Sequence, residues 1–355
     1  QSDTINQTNE NDSNLNKSKR KKSYKFSNTK DSKEKDNIEN EIKNITVELK
    51  QKAIDKFKDE SEIKKFLDNI SRFNNYSYNN QILIYLQNPD AEYVASYKTF
   101  SKMGYYPKKD SSIKIYFPEF YNIMKIKNDD NTYTLKPYFT LSEEKKKKYK
   151  DKEDDTVTFY KKKLSKFGLG NVFDAKDTNM PMDEINEELN PVLNDNKAED
   201  IMNCFIKTIY NDGYKVKFED LQGGTKGYCD HANKTIVVKK GLGSLVELKV
   251  LIHEYGHALA HKHLEGNNLE YQLHRNKYET EAESISYVVS KYLGFDSGDF
   301  SLTYLYAWSK EKDFQEIDES LGTIVNYSKR IIDNFQKFYE KEYGLYAEEL
   351  NSMSI

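Results

Sequence analysis

Cysteine is scarce and long apolar runs are missing. The 355 residues contain two cysteines, Cys204 and Cys229, and no CxxC pair of the kind that holds zinc through thiolates. Both fit a reducing compartment and are expected to be ordinary small buried residues. No apolar stretch approaches the roughly 18 to 20 residues that span a bilayer, and none follows the first basic residues as a signal peptide would require. The expectation is a cytoplasmic protein with no membrane partner. No repeat of the solenoid kind is found either.

Charged residues make up 32% and hydrophobic ones 37%, with a mean hydropathy of −0.90, so part of the chain is expected to stay unstructured. The length suits two domains. Heavy use of Lys, Asn, Ile and Tyr reflects AT-rich codons. The net charge of −3 conceals an asymmetry: residues 1–180 hold 28 acidic and 36 basic side chains, and residues 181–355 hold 30 acidic and 19 basic. A basic first half suits a polyanionic partner.

Residues 1–40, polar and with a basic run at Lys17–Lys22, read as a disordered, solvated arm. Residues 41–175 read as an α+β domain, 176–199 as a linker, 200–345 as a mostly helical domain with a small β-sheet, and 346–355 as a tail, giving an α+β fold class. In the first domain, apolar spacing predicts helices over 42–70 with a break near Asp59–Ser61, and a further helix that stops before Pro89. Strands are predicted at 112–118, 133–139 and 156–160 around a charged insertion at 142–155, with 171–174 closing the domain. The second domain is predicted to open with a helix over 200–211. The strand Lys234–Lys239, the helices 245–263 and 276–293, and a helical pair between Leu302 and Tyr343 follow.

The segment Val250–His263 concentrates four histidines and a glutamate in an apolar helix. His253 and His257 are four apart and share a face, with Glu254 beside them: the HExxH arrangement of zinc peptidases, in which the glutamate is the general base. Gly256 permits close packing. The longer pattern HExxHxxGxxH would recruit His263, but Ala260 stands at its glycine and the one later methionine is Met353, so no Met-turn follows. His261 and His263 are accordingly read as helix-end or surface residues.

On the next helix Glu279 and Glu283 share a face, while Glu281 points away from both. Two carboxylates beside an inward-packing helix need a cation, which assigns Glu279 as third zinc ligand and Glu283 as the carboxylate orienting a histidine. Tyr271, His274, Tyr278 and Tyr304 are candidate donors to a developing oxyanion. The strand Thr235–Val238 is a candidate for pairing with an extended peptide substrate.

The ordered series Tyr78–Ile84, Gln87–Pro89, Val94–Gly104, Lys108–Lys109, Ile113–Ile115 and Val172–Asp174 resembles the N-terminal domain of ArdC-type antirestriction proteins. The zinc helix, Glu279–Glu283 and Tyr304–Trp308 resemble their zincin-like metallopeptidase half. Glu279–Glu283 is also similar to the third-ligand helix of ImmA/IrrE-type regulatory peptidases. The pattern is departed from at Phe100, where tryptophan is usual, and in the 142–155 insertion.

The resemblance implies a protein of plasmids and conjugative elements that protects incoming DNA from restriction. Its first domain would bind single-stranded DNA, and the second would use Zn2+ on an unidentified protein or peptide substrate. Two alternatives are an ImmA/IrrE-like protease that cleaves a repressor, and a non-catalytic single-stranded-DNA-binding protein with structural zinc. Arg72, Tyr76, Tyr78, Asn80, Tyr97, Lys98, Lys102, Tyr105, Lys108 and Lys109 supply the cations and flat rings that single-stranded DNA needs. On composition alone the aromatics among them read as core; the resemblance turns them toward DNA.

Overall fold

Sequence spacing sets the helices that open the structure. In the computed structural model of the chain, residues 46–57, 59–128, 130–137, 142–143, 157–182, 184–185, 195–295 and 312–343 are described. Helix α1 (46–56) and α2 (Glu60–Arg72) are separated at the predicted break, where the Asp59 carboxylate caps α2 by accepting from the Ser61 N–H. Helix α3 (Tyr78–Gln87) starts at a Ser77 cap and ends before Pro89. It is apolar on two sides: Ile82 and Tyr85 enter one core and Ile84 another.

After β1 (Val94–Ser96) and α4 (Tyr97–Met103), two long strands, β2 (Ile113–Lys127) and β4 (Val157–Asp174), pair antiparallel, with β1 and β3 (Tyr133–Pro137) as the edges in the order β1-β4-β2-β3. The predicted strands at 112–118 and 156–160 were too short. Pro118 lacks an N–H for the ladder, and the register shifts between Pro118 and Phe120 before pairing resumes. Residues 138–139 of the predicted 133–139 strand, most of the insertion, the N-terminal arm and the tail lie outside the described residues.

Helix α5 (Asp195–Asn211) leads into a three-stranded sheet of β5 (Lys215–Glu219), β6 (Gly227–Asp230) and β7 (Thr235–Lys239), ordered β5-β7-β6. β7 is the central strand, parallel to β5 and antiparallel to β6. The expectation that Thr235–Val238 pairs with a substrate is therefore corrected: both its hydrogen-bonding edges are occupied, and the free edge beside it belongs to β6.

Helix α6 (Ser244–Ala260), the short α7 (Asn268–Leu273), α8 (Arg275–Tyr292) and the 30-residue α9 (Phe314–Tyr343) complete the fold. Over 314–343 the predicted helical pair is one helix; residues 302–311 lie outside the described residues. α+β describes the whole. Among the described residues no helix is long and apolar enough to cross a membrane.

The main core does not follow the predicted domain division. Phe57, Phe66, Leu67 and Tyr85 from the opening helices pack with Phe205, Leu251, Tyr255, Val288 and Ile324 from the second half in one shared core. A smaller core lies under the four-stranded sheet. A third, around Phe100, includes Met180 and Ile185 from the stretch read as linker.

Candidate metal centre and nucleic-acid face

Three histidines at four-residue spacing run down one face of α6, which packs antiparallel on α8: His253 lies beside Glu279 and Glu283, His261 beside Glu281, and the Lys249 carbonyl accepts from the Ser286 hydroxyl. Among the described residues, His253, His257 and Glu279 bring one ligand atom each within 4.8 Å of the others. The two Nε2 atoms are 3.2 Å apart, and Glu279 Oε2 lies 3.5 Å from His253 Nε2 and 3.7 Å from His257 Nε2. Ligand bonds of about 2.0–2.1 Å make tetrahedral edges of roughly 3.3–3.4 Å, so the triangle has the dimensions of a zinc site. Two imidazoles and one carboxylate are also a zinc-type donor set. These residues could hold a metal ion.

Glu283 Oε2 sits 3.0 Å from His253 Nδ1, but off the hydrogen-bonding axis, so Nδ1 is a buried atom without an aligned partner. The Tyr271 hydroxyl donates to the other oxygen of Glu279 at 2.6 Å.

Charge in this cluster is strongly redistributed. Burial opposes a proton on His253, but the Glu279 and Glu283 carboxylates outweigh it and lift its pKa to about 10. Burial pushes His257 down to about 4. The two histidines hold the Glu279 carboxyl far below the usual range. Glu254, 7% exposed, is raised by burial to about 7, where a carboxylate exchanges a proton readily at neutral pH.

These groups line an open cleft of about 920 Å³ between β6, α6, α7 and α8, which also contains Cys229, His231 and Arg275. Gly227 is what lets β6 approach: a Cβ there would stand 2.6 Å from Val250 Cγ1 and 2.9 Å from the Val237 carbonyl oxygen. Of the candidate oxyanion donors, Tyr271 lines the cleft. Tyr278 is buried and donates to Glu270, His274 pairs with Glu270, and Tyr304 lies outside the described residues.

His261 stands at the helix end, as the C-cap of α6, but its surface reading is corrected. It is not a surface residue but 1% exposed, with Nδ1 2.8 Å from His257 Nδ1 and Nε2 2.9 Å from Glu281 Oε2. Glu281 leaves α8 away from Glu279 and Glu283, as its spacing requires, and is 2% exposed. His263 is exposed.

In the first half the candidate DNA residues divide into two groups. Asn80 is buried, and its amide both donates to the Tyr116 carbonyl (2.7 Å) and accepts from the Tyr116 N–H (2.8 Å). Gln87 treats Lys114 the same way, so α3 substitutes for a strand along the free edge of β2. Tyr76 donates to the Val94 carbonyl, Tyr78 to Asp318, Arg72 to the Ala91 carbonyl and Tyr105 to Glu184. By contrast Tyr97, Lys98, Lys102, Lys108 and Lys109 are exposed around α4. Tyr106, absent from the sequence-based set, joins them with its ring 6.5 Å from that of Tyr97.

Residues 32–173 match the family described as the N-terminal domain of anti-restriction factor ArdC. Over that span the chain is similar to the ArdC N-terminal domain. It is 26% identical over 307 residues, or 81% of its length, to an uncharacterized protein of Bacillus anthracis, pXO2-81, and it spans about half (51%) of that relative. The metal-free crystal structure of antirestriction ArdC protein from the R388 plasmid covers 74% of this chain and 86% of its own at 13% identity, with a TM-score of 0.42. That likeness is too loose to equate side chains. The α4 face and the long β2–β4 ribbon, up to Phe173, thus lie within the span that matches the ArdC N-terminal domain, while the metal centre lies outside it.

Sequence reasoning missed His261, Glu281 and Tyr106. Periodicity gave a signal for the first, since His261 continues the 253–257 stripe. For Glu281 the partner Ser320 lies 39 positions away, and spacing carries no trace of it.

Proposed function

We propose that the chain is a mobile-element antirestriction-like protein that binds single-stranded DNA through the α4 face and hydrolyses peptide bonds at the metal centre. The observation that carries the catalytic part is Glu254: a carboxylate buried to a pKa of about 7, on an open cleft, one residue from a metal-ligand histidine. A structural zinc site is closed and has no use for a general base. His253, His257 and Glu279 would hold the zinc. When bound, zinc supplies a Lewis acid that polarises a carbonyl and acidifies water.

Glu254 takes up a proton at its carboxylate and returns it to the leaving amine. The free edge of β6 lies along the cleft, where its unpaired backbone groups can hold an extended peptide. Tyr271 fixes the orientation of Glu279. The opening favours a protein substrate of extended conformation, which also accommodates cleavage of a repressor in the manner of ImmA/IrrE-like enzymes.

The catalytic reading is tested with the full chain loaded with zinc and a library of unstructured peptides. Glu254→Gln is expected to retain stoichiometric zinc and lose cleavage by at least about 10²-fold. Equal cleavage by wild type and Glu254→Gln, or none by either, removes the peptidase reading. For DNA, the full chain is expected to bind a single-stranded oligonucleotide more weakly as salt rises, with each phosphate-contacting lysine contributing about 0.7 to the logarithmic slope. Replacing Lys98 and Lys102 by Glu should flatten that slope, and Tyr97→Ala should cost about 1–3 kcal/mol through lost base stacking. Binding that ignores both salt and these changes would place DNA elsewhere.

A further inference from the structure

The buried chain His257–His261–Glu281–Ser320 joins the metal centre to α9. It crosses three helices through contacts of 2.8, 2.9 and 2.5 Å, and both His261 and Glu281 are almost fully buried. His261, Glu281 and Ser320 do not line the cleft, and the proton chemistry above does not use them.

Hydrogen-bond direction along this chain is determined from its far end. An ionised carboxylate only accepts, and Glu281 does so twice, from the Ser320 hydroxyl at Oε1 and from His261 at Oε2. His261 must therefore carry its proton on Nε2. With His261 neutral its Nδ1 is bare, and that atom faces His257 Nδ1 at 2.8 Å; a doubly protonated His261 would instead donate from Nδ1 and give His257 the opposite tautomer, which the spectra below distinguish. Two bare nitrogens at that distance would repel, so His257 Nδ1 carries a proton and donates. This leaves the lone pair of His257 on Nε2, the atom aimed at His253 Nε2 and Glu279 Oε2.

We propose that His261 and Glu281 are positioning residues that lock His257 in the tautomer able to bind a metal through Nε2, with Ser320 anchoring Glu281. The inference rests on the metal-site reading above. Here the ligand's outer nitrogen meets a second histidine, and a carboxylate on another helix orients both. The relay explains why two ionisable side chains lie buried behind a site that Glu283 and Tyr271 already flank. Without a partner, Glu281 would be costly to bury; with His261 and Ser320 it has one for each oxygen.

The test uses the full-length, metal-free chain labelled with 15N-histidine, read by two-bond 15N–1H correlation spectra, together with zinc affinity by chelator competition. Wild type is expected to show His257 protonated on Nδ1 and His261 on Nε2. Glu281→Gln, whose amide can donate as well as accept, should remove that preference and weaken zinc binding about 10- to 100-fold. Ser320→Ala keeps the carboxylate and should keep both tautomers.

A wild-type His257 protonated on Nε2 overturns the proposal, as do unchanged tautomers and zinc affinity in Glu281→Gln. If Glu281→Gln does not fold, the wild-type spectrum decides. If wild type shows the expected tautomers but binds no zinc, the metal reading fails while the relay stands as a hydrogen-bonding device.

Discussion

At the residue scale the centre sets buried histidines against carboxylates at different depths: Glu254 and Glu281 are buried, Glu279 and Glu283 half-exposed. Four carboxylates and three histidines meet on two helices, and two of the carboxylates have close partners: Glu279 has His253 and His257, Glu281 has His261 and Ser320. Removing one member therefore leaves its partner exposed to the desolvation cost. Glu279→Ala is expected to abolish tight zinc binding, measured as metal retained after dialysis. Tyr271→Phe removes only the donor that holds Glu279 Oε1, and should weaken zinc affinity about 10-fold while the bound stoichiometry stays one. A Tyr271→Phe protein with unchanged affinity would show that Glu279 needs no such anchor.

At the element scale two glycines carry opposite requirements. Gly227 lies where β6 presses onto α6, and an added methyl would collide with Val250 and with the backbone of β7. Gly227→Ala is expected to cost about 1–3 kcal/mol in denaturant unfolding. Gly256 lies inside α6, where a Cβ would meet Ile285 and Ala282 at ordinary distances of 3.5–3.6 Å. Close packing does not demand glycine there, and Gly256→Ala should be neutral or stabilising by up to about 1 kcal/mol, since alanine is the better helix former. A marked loss of stability in Gly256→Ala would mean that α6 and α8 approach more closely than this.

The same scale explains α3. Its apolar residues point two ways and its amides, Asn80 and Gln87, complete the edge of β2, so it is glued to both cores at once. This is how the four-stranded sheet gains a covered edge without another strand.

At the scale of the whole molecule the opening helices and the metal-bearing helices share one interior. Asp318 of α9 accepts from Lys50 and Tyr78, and Asp68 of α2 accepts from Tyr287 of α8. A fragment ending at 175 would expose Phe57, Phe66 and Leu67 to water. Thermal unfolding of the intact chain, followed by circular dichroism with and without zinc, is expected to be a single transition for residues 46–355. The fragment is expected to lack a cooperative melt, whereas two separate transitions in the intact chain would show that the halves are independent domains.

The sequence by itself determined the elements and the near partners. The breaks at Asp59 and Pro89 follow from capping and from proline's missing N–H, and His253, Glu254 and His257 follow from a spacing of four on one helix. Glu279 was singled out by its spacing from Glu283, and the structure brings it beside His253 and His257, although both carboxylates are half-exposed. Tertiary structure alone decided which strand edge is free, that Asn80 and Gln87 serve a strand rather than a ligand, and that His261 is buried against Glu281. The physical reason is range: periodicity reports which face a residue takes on its own element, whereas hydrogen-bond partners and sheet edges are set by elements tens to hundreds of residues away.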